Sequence, residues 1–206
     1  MKKRTPDYWP EAIKHLSEND ATLGAIIANY PGEILSARGD AFYTLTRSII
    51  GQQISVKAAD AVWNKVEQGV GGMLPGNVQQ ASEDTLRACG LSRQKVTYTH
   101  ALADFFLQRK HAERDWESMD DEAVIADLTT IKGIGRWTAE MFLMFHLLRP
   151  DVFPVADLGL QKAINKHYDA GMPPKHMPKL AESWRPYRSV AVWYLWRSLD
   201  PVPVEY

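Results

Sequence analysis

An all-α fold is predicted for this 206-residue chain by three features. Apolar residues recur at helical spacing along most of its length. No run alternates apolar and polar residues far enough to build a useful strand. The breaks between apolar runs carry helix caps, glycines or prolines. With 45% hydrophobic and 24% charged residues, the composition fits one ordinary domain, or two small lobes sharing a core. No repeat or low-complexity tract interrupts it.

In chain order, Tyr8 to Asn29 has Ile13, Leu16, Leu23, Ile26 and Ile27 at loose helical spacing, with a break expected near Asn19-Asp20 and a stop at Pro31-Gly32. Ala41 to Ile50 sets Phe42, Leu45, Ile49 and Ile50 on one side, and Ser55 to Val66 resumes after the GQQIS interruption. Gly69 to Asn77 is expected to be a loop, because three of its first four residues are glycine. Ser82 opens a short helix that Gly90 ends, and Ser92 caps a helix running through Leu107. Ser118 to Asp121 has the form of a capping box ahead of a helix from Glu122 to Leu128. Further helices are predicted for Trp137 to Leu148, Asp157 to Tyr168 and Arg185 to Leu199, with a break at Pro173-Pro174.

Composition excludes several classes of function. No stretch of ~20 apolar residues is present to span a membrane. The basic start, MKKRTPDYWPEAI, lacks the apolar run of a secretory signal. One cysteine, Cys89, rules out an internal disulfide and any four-cysteine cluster, which fits a reducing, intracellular setting. The formal charge is −1, but the segment from Glu113 to Asp127 alone sums to −6, leaving +5 on the remainder. A near-neutral chain of this kind can present a positive face to a polyanion, and its charges equally fit ordinary solvated helix faces.

The most informative stretch runs from Leu128 to Lys162. Gly133 and Gly135 bracket Ile134, so positive φ is available on either side of one buried anchor. The N–H groups leading the next helix would then face an anion such as phosphate, which Arg136 could supplement. A glycine turn between helices can also be simple chain reversal. Asp157, ahead of a helix, reads as a catalytic acid or as an N-cap. Trp137 reads as an aromatic surface or as core packing. His146, among apolar neighbours, reads as a core histidine.

The order of these features resembles the helix-hairpin-helix DNA glycosylase superfamily, and within it the 3-methyladenine DNA glycosylases of the alkylation-repair (AlkA) type. The resemblance rests on Gly133-Ile134-Gly135-Arg136, an apolar helix, a connector with Pro150 and Pro154, and Asp157 twenty residues beyond Trp137. Further matches are Ser48 to Ser55 (SIIGQQIS), Cys89 to Lys95 (CGLSRQK) and Trp184 to Ser189 (WRPYRS) with Ala191, so that roughly Phe42 to Leu199 is covered. It implies two helical lobes flanking a cleft, residues 1–45 with 152–206 and residues 46–151, with the helix-hairpin-helix near 122–148. Asp157 becomes the catalytic carboxylate. The turn through Gly133, Ile134, Gly135 and Arg136 holds the DNA backbone, and Gln53 fills the gap left by an extruded nucleotide. Trp137 and Trp196 flank the flipped base, and Met141 stands at a further pocket position that is aromatic in other members. The main-chain carbonyls of Thr129, Ile131 and Ile134 are expected to hold a monovalent cation, sodium or potassium; no other cofactor is implied.

The same resemblance points to the reaction. Lyase-type members carry a lysine where this chain has Trp137, which cannot be a nucleophile. The expectation is therefore a monofunctional enzyme, acting as a monomer on damaged double-stranded DNA. It would flip out alkylated purines of the 3-methyladenine and 7-methylguanine type and hydrolyse them away in base excision repair, leaving an abasic site. The alternatives are a glycosylase for another lesion (hypoxanthine, uracil or a mismatched base) or a catalytically silent DNA-binding module.

Overall fold

Short polar side chains fix where most helices start. A computed structural model of the protein describes residues 4–37, 40–108 and 115–200. Asp20, Asp40, Ser55, Ser82, Ser92, Asp120 and Asp157 each accept a backbone N–H three residues on, at the starts of seven helices. In order the helices are α1 (Trp9–Asn19), α2 (Ala21–Ala28), α3 (Ala41–Gly51), α4 (Val56–Val70), α5 (Pro75–Gln80) and α6 (Glu83–Ala88). They continue as α7 (Arg93–Leu107), α8 (Asp121–Leu128), α9 (Arg136–Phe145), α10 (Leu158–His167), α11 (Met177–Leu180) and α12 (Arg188–Arg197). No strand occurs among the described residues.

The chain divides into two units, Arg38–Phe142 and Lys2–Ala37 with Leu143–Glu205. The lobes expected from the sequence had their boundaries at 45/46 and 151/152, several residues later at both crossings. Packing explains the difference. α3 lies against α4 and α7 and is not split. Residues 143–151 stay with α12: the Arg149 amide donates to the Leu143 carbonyl (2.9 Å), and the Ser189 amide and hydroxyl donate to the carbonyls of Pro150 (2.9 Å) and Arg149 (2.6 Å).

In the first unit α7 is the central helix, contacted by α3, α5 and α6. Phe42, Phe105, Phe106, Trp116 and Phe142 make a chain of edge-on and tilted ring contacts in its core. In the second unit α12 packs on α1, α2 and α10. Trp9 meets Trp193 edge-on at 5.3 Å, and Asp20 accepts both the Tyr168 hydroxyl and the Trp184 indole N–H at 2.8 Å. A half-buried tyrosine and a buried tryptophan are thereby tied to the residue that caps α2, which satisfies polar tips that burial would otherwise penalise.

Several sequence expectations are corrected. The segment Gly69 to Asn77 is not all loop: α4 runs on to Val70 and α5 starts at Pro75. Burial of Val78 and the packing of α5 on α7 outweigh the local glycines, while Asn77 Nδ2 ties down the Gly71 and Gly72 carbonyls. Asp120, not Ser118, caps α8; the Ser118 hydroxyl instead donates to the Asp115 carbonyl. α9 ends at Phe145, short of Leu148, whose φ of +55° takes it out of the helical region. α12 begins at Arg188 rather than Arg185, as Pro186 disfavours helix at the residue before it. Between 174 and 184 lie a 3₁₀ turn, α11 and a second 3₁₀ turn that periodicity did not reveal. The basic cluster at Lys2-Lys3 and the pair Glu113-Arg114 fall outside the described residues.

Candidate functional site

The hairpin between α8 and α9 is built on one glycine, not two. Gly133 has φ of +94°, whereas Gly135 is not left-handed. A Cβ on Gly133 would stand 2.2 Å from Cγ of Tyr98, so the turn closes directly onto that ring. Ile131 and Ile134 are buried on either side, and the Ile134 amide closes on the Ile131 carbonyl at 3.0 Å. Gly135 accepts the first helical bond of α9, from the Ala139 amide (3.1 Å), and a Cβ there would meet nothing within 4 Å. It has no side chain to cap the leading N–H groups of α9, which leaves the helix N-terminus open to close approach by an anion.

The loop after α3 lies beside this hairpin in the same unit. Gln53 is exposed and holds φ of +60°, a left-handed conformation that costs energy for a residue with a Cβ. Its neighbour Gln52 turns the other way: Nε2 donates to the Gly133 carbonyl (3.2 Å) and to Thr138 Oγ1 (3.0 Å). Lys95 on α7 reaches the same loop, donating from Nζ to the carbonyls of Ile50 and Gln52, both at 2.7 Å. Burial pushes this amine below the ordinary lysine range. Gln53, Lys95, Tyr98 and Gly133 to Gly135 line an open depression of about 340 Å³. Gln53 and the hairpin, predicted separately, are thus brought together.

Arg136 is occupied otherwise than its sequence position suggested. Its Nη atoms make a forked pair with Glu122 at 2.9 and 2.5 Å, and Nε donates to Glu140 at 3.1 Å. Glu140 is buried and Glu122 exposed, so the guanidinium bridges an interior carboxylate to a surface one. The hydrogen bonds from Arg136 hold the Glu122 carboxyl below its usual range.

In the second unit Asp157 is the N-cap of α10, and both readings of this residue meet here. Oδ1 accepts the Leu160 amide at 2.6 Å and the Trp196 indole N–H at 2.8 Å. Two N–H donors and a helix N-terminus suit a negative charge at this point and hold the carboxylate in one rotation. Trp196 is buried, with Phe145 stacked on it at 6.1 Å and an interplanar angle of 14°. Gly159 makes room for the pair: a Cβ there would stand 3.1 Å from Asp157 Oδ1 and 3.3 Å from the Trp196 ring.

The other expected residues are less uniform. Trp137 is half-buried at the second position of α9. Met141, one turn on, has no exposed surface, so it belongs to the interior and not to an open pocket wall, contrary to expectation. Thr129, Ile131 and Ile134 lie after the end of α8, where carbonyls leave the helical ladder and could face a hard cation. His146 is half-buried, and its carbonyl accepts from Arg4 at 2.7 Å. Sequence reasoning gave no role to Gln52, Lys95, Tyr98 or Gly159. Gln52 and Lys95 stood inside matched motifs, but 45 residues separate Lys95 from Ile50, and no local spacing announces that contact.

The chain is similar to several known proteins along most of its length. A DNA-3-methyladenine glycosidase structure from Bacillus halodurans is 35% identical, covering 96% of this chain and 92% of that one, with a TM-score of 0.74. The 3-methyladenine DNA glycosylase of Schizosaccharomyces pombe, in complex with abasic DNA, is 32% identical over 91% of this chain and 96% of that one, with a TM-score of 0.78. The DNA-3-methyladenine glycosylase of Saccharomyces cerevisiae is 32% identical over 90% of this chain and 78% of its own length. The family model for HhH-GPD superfamily base excision DNA repair proteins matches residues 46–186, and the chain belongs to that family.

Proposed function

We propose that the protein is a monofunctional DNA glycosylase that removes alkylated purines, of the 3-methyladenine and 7-methylguanine type, from double-stranded DNA. The observation that carries this reading is the Asp157 carboxylate, fixed at the start of α10 by the Leu160 amide and the Trp196 indole. A purine alkylated at N3 or N7 is already cationic and leaves as a neutral base, taking the electron pair of the C1′–N bond. Little general acid is needed. What remains is to stabilise the sugar's oxocarbenium charge and to deliver water to C1′. A fixed carboxylate does the first by its field and the second by accepting the water proton as the O–C1′ bond forms.

Other residues support the remaining steps. The amides leading α9 would receive a backbone phosphate, with Gly135 allowing close approach. Gln53 would fill the stack when the nucleotide leaves it, a step costing a few kcal/mol and least for damaged bases. Indole faces such as Trp137 favour a cationic purine by ~0.5–2 kcal/mol. Trp137 also stands where an amine would be needed for Schiff-base strand cleavage, which argues for water as the only nucleophile. A sodium or potassium ion, held by the carbonyls of Thr129, Ile131 and Ile134, would add positive charge beside the phosphate. No other cofactor and no second subunit is called for, so the protein would act as a monomer inside the cell. No described helix is long and apolar enough to cross a membrane.

The test is duplex DNA methylated with a labelled reagent, from which released bases are separated by chromatography and strands are examined with and without hot alkali. Free methylpurine, with breaks appearing only after alkali, is expected. Breaks without alkali would overturn the monofunctional reading. No released methylpurine would overturn the substrate and turn attention to hypoxanthine, uracil or mismatched bases.

A further inference from the structure

We propose that Lys95 is a positioning residue for the DNA-stack wedge: its ammonium clamps the end of α3 so that Gln52 holds the hairpin and Gln53 is presented to DNA. The inference rests on the reading above, that the protein extrudes its target nucleotide. Three observations carry it. Lys95 Nζ donates to the carbonyls of Ile50 and Gln52 at 2.7 Å each, on either side of Gly51, where α3 stops. Gln52 Nε2 then ties that loop to the Gly133 carbonyl and to Thr138 on α9. Between these two anchors and the Ser55 cap of α4, Gln53 is held exposed at φ +60°.

The physical logic is that of a strained tip between fixed posts. A left-handed glutamine relaxes unless its surroundings impose the conformation, and the imposed conformation sets where the side chain points. Lys95 supplies charge-assisted bonds to carbonyls that α3 itself leaves open at its C-terminus. The hairpin that would grip phosphate and the loop that would enter the stack share this support, so wedge and grip are held in fixed register. Removing the ammonium should leave both segments folded and loosen that register.

The experiment uses the whole chain and a duplex carrying a tetrahydrofuran abasic analogue beside 2-aminopurine, whose fluorescence changes when a side chain enters the gap next to it. This readout needs no base release. Lys95→Met is compared with wild type, with Gln53→Ala and with the double variant; Lys95→Arg keeps a cation. Gln52→Leu provides a second route, cutting the link to the hairpin without touching Lys95, and circular dichroism melting reports folding. In the wild-type background Lys95→Met and Gln52→Leu should each lower the affinity for wedge insertion ~10-fold, a coupling expected within one hydrogen-bonded network. In the Gln53→Ala background the Lys95→Met effect should fall to about twofold or less. Lys95→Arg should retain most of the insertion. An equal loss from Lys95→Met with and without Gln53, or no loss at all, would overturn the inference. If the wild type changes the 2-aminopurine signal but releases no methylpurine, the proposed substrate fails and the positioning role stands.

Discussion

Replacing Asp157 by asparagine and by alanine separates the two things this residue does, capping a helix and carrying a charge. Asparagine keeps a carbonyl oxygen for the Leu160 amide and the Trp196 indole, and it caps helices about as well as aspartate. What it loses is the charge-assisted part of two hydrogen bonds and the favourable field at the start of α10, together about 1 kcal/mol. Alanine loses the cap, about 1 kcal/mol, and strands a buried indole N–H, roughly 1–3 kcal/mol more. At ~2–4 °C per kcal/mol for a chain of this size, the melting temperature should fall roughly 2–4 °C for asparagine and 4–16 °C for alanine.

Activity should not follow stability. Both variants remove the carboxylate, so both should lose ~10²–10⁴-fold in single-turnover release of methylpurine, about 3–5 kcal/mol of transition-state stabilisation. Binding to an abasic-analogue duplex should survive in the asparagine variant. The assay pairs calorimetric melting with rapid-quench base release at saturating enzyme. Asparagine retaining turnover would show that Asp157 is a cap and nothing more. Asparagine melting as low as alanine would refute the bond assignment at Oδ1.

The hairpin glycines give a matched pair. Gly133→Ala should destabilise the first unit by about 2–4 kcal/mol through its φ and its clash with Tyr98, whereas Gly135→Ala should melt within about 1 kcal/mol of wild type yet bind DNA more weakly, as fluorescence anisotropy would report; unaltered binding would mean no phosphate approaches there. Gly159→Ala replaces a poor helix former with the best one but intrudes on Asp157 and Trp196. Its kcat should fall at least ~10-fold with little change in melting temperature; a fully active variant would show that the carboxylate needs no fixed position. The hydrogen bonds from Arg197 hold the Glu33 carboxyl below the ordinary carboxylate range. Its stabilising contribution is thus present above about pH 4.5 and lost as pH falls through the depressed value. The melting-temperature gap between wild type and Glu33→Gln should accordingly be full at pH 6 and close in strong acid; a gap that widens on acidification would contradict the pairing. Finally, Arg136→Ala should leave the salt dependence of DNA binding unchanged, whereas loss of a phosphate contact would reduce the log–log slope by about one.

What the sequence revealed follows interaction range. Caps read within four residues: Ser82, Ser92 and Asp157 all stand at helix starts, because the bond each makes is local. Gln53 and the hairpin were legible through motifs whose residues are contiguous. Short α5 was hidden because its stability lies in Val78 and α7, not in its own glycine- and proline-bearing sequence. Lys95 was hidden for the same reason, its carbonyl partners lying 43 and 45 residues away. Gly159 escaped because what matters there is a missing side chain beside groups brought in by α12. Met141 was placed correctly on α9, but the side it faces is set by packing, and that side is interior.

The balance of charge makes sense once these contacts are known. The acids between 115 and 127 are not only a solvated face: Asp120 caps α8, Glu122 pairs with Arg136, and Asp127 accepts the Trp116 indole at 2.7 Å. They build the first helix of the hairpin and engage the arginine that begins the second. A phosphate arriving at Gly135 would thus be met first by oriented backbone amides, and Arg136 would have to leave Glu122 and the buried Glu140 to join them. Amide dipoles grip an anion at contact distance but release few counterions, so they add affinity without a steep salt dependence. A chain of formal charge −1 can therefore hold DNA at one place tightly enough for chemistry while avoiding the broad electrostatic adhesion of a basic protein.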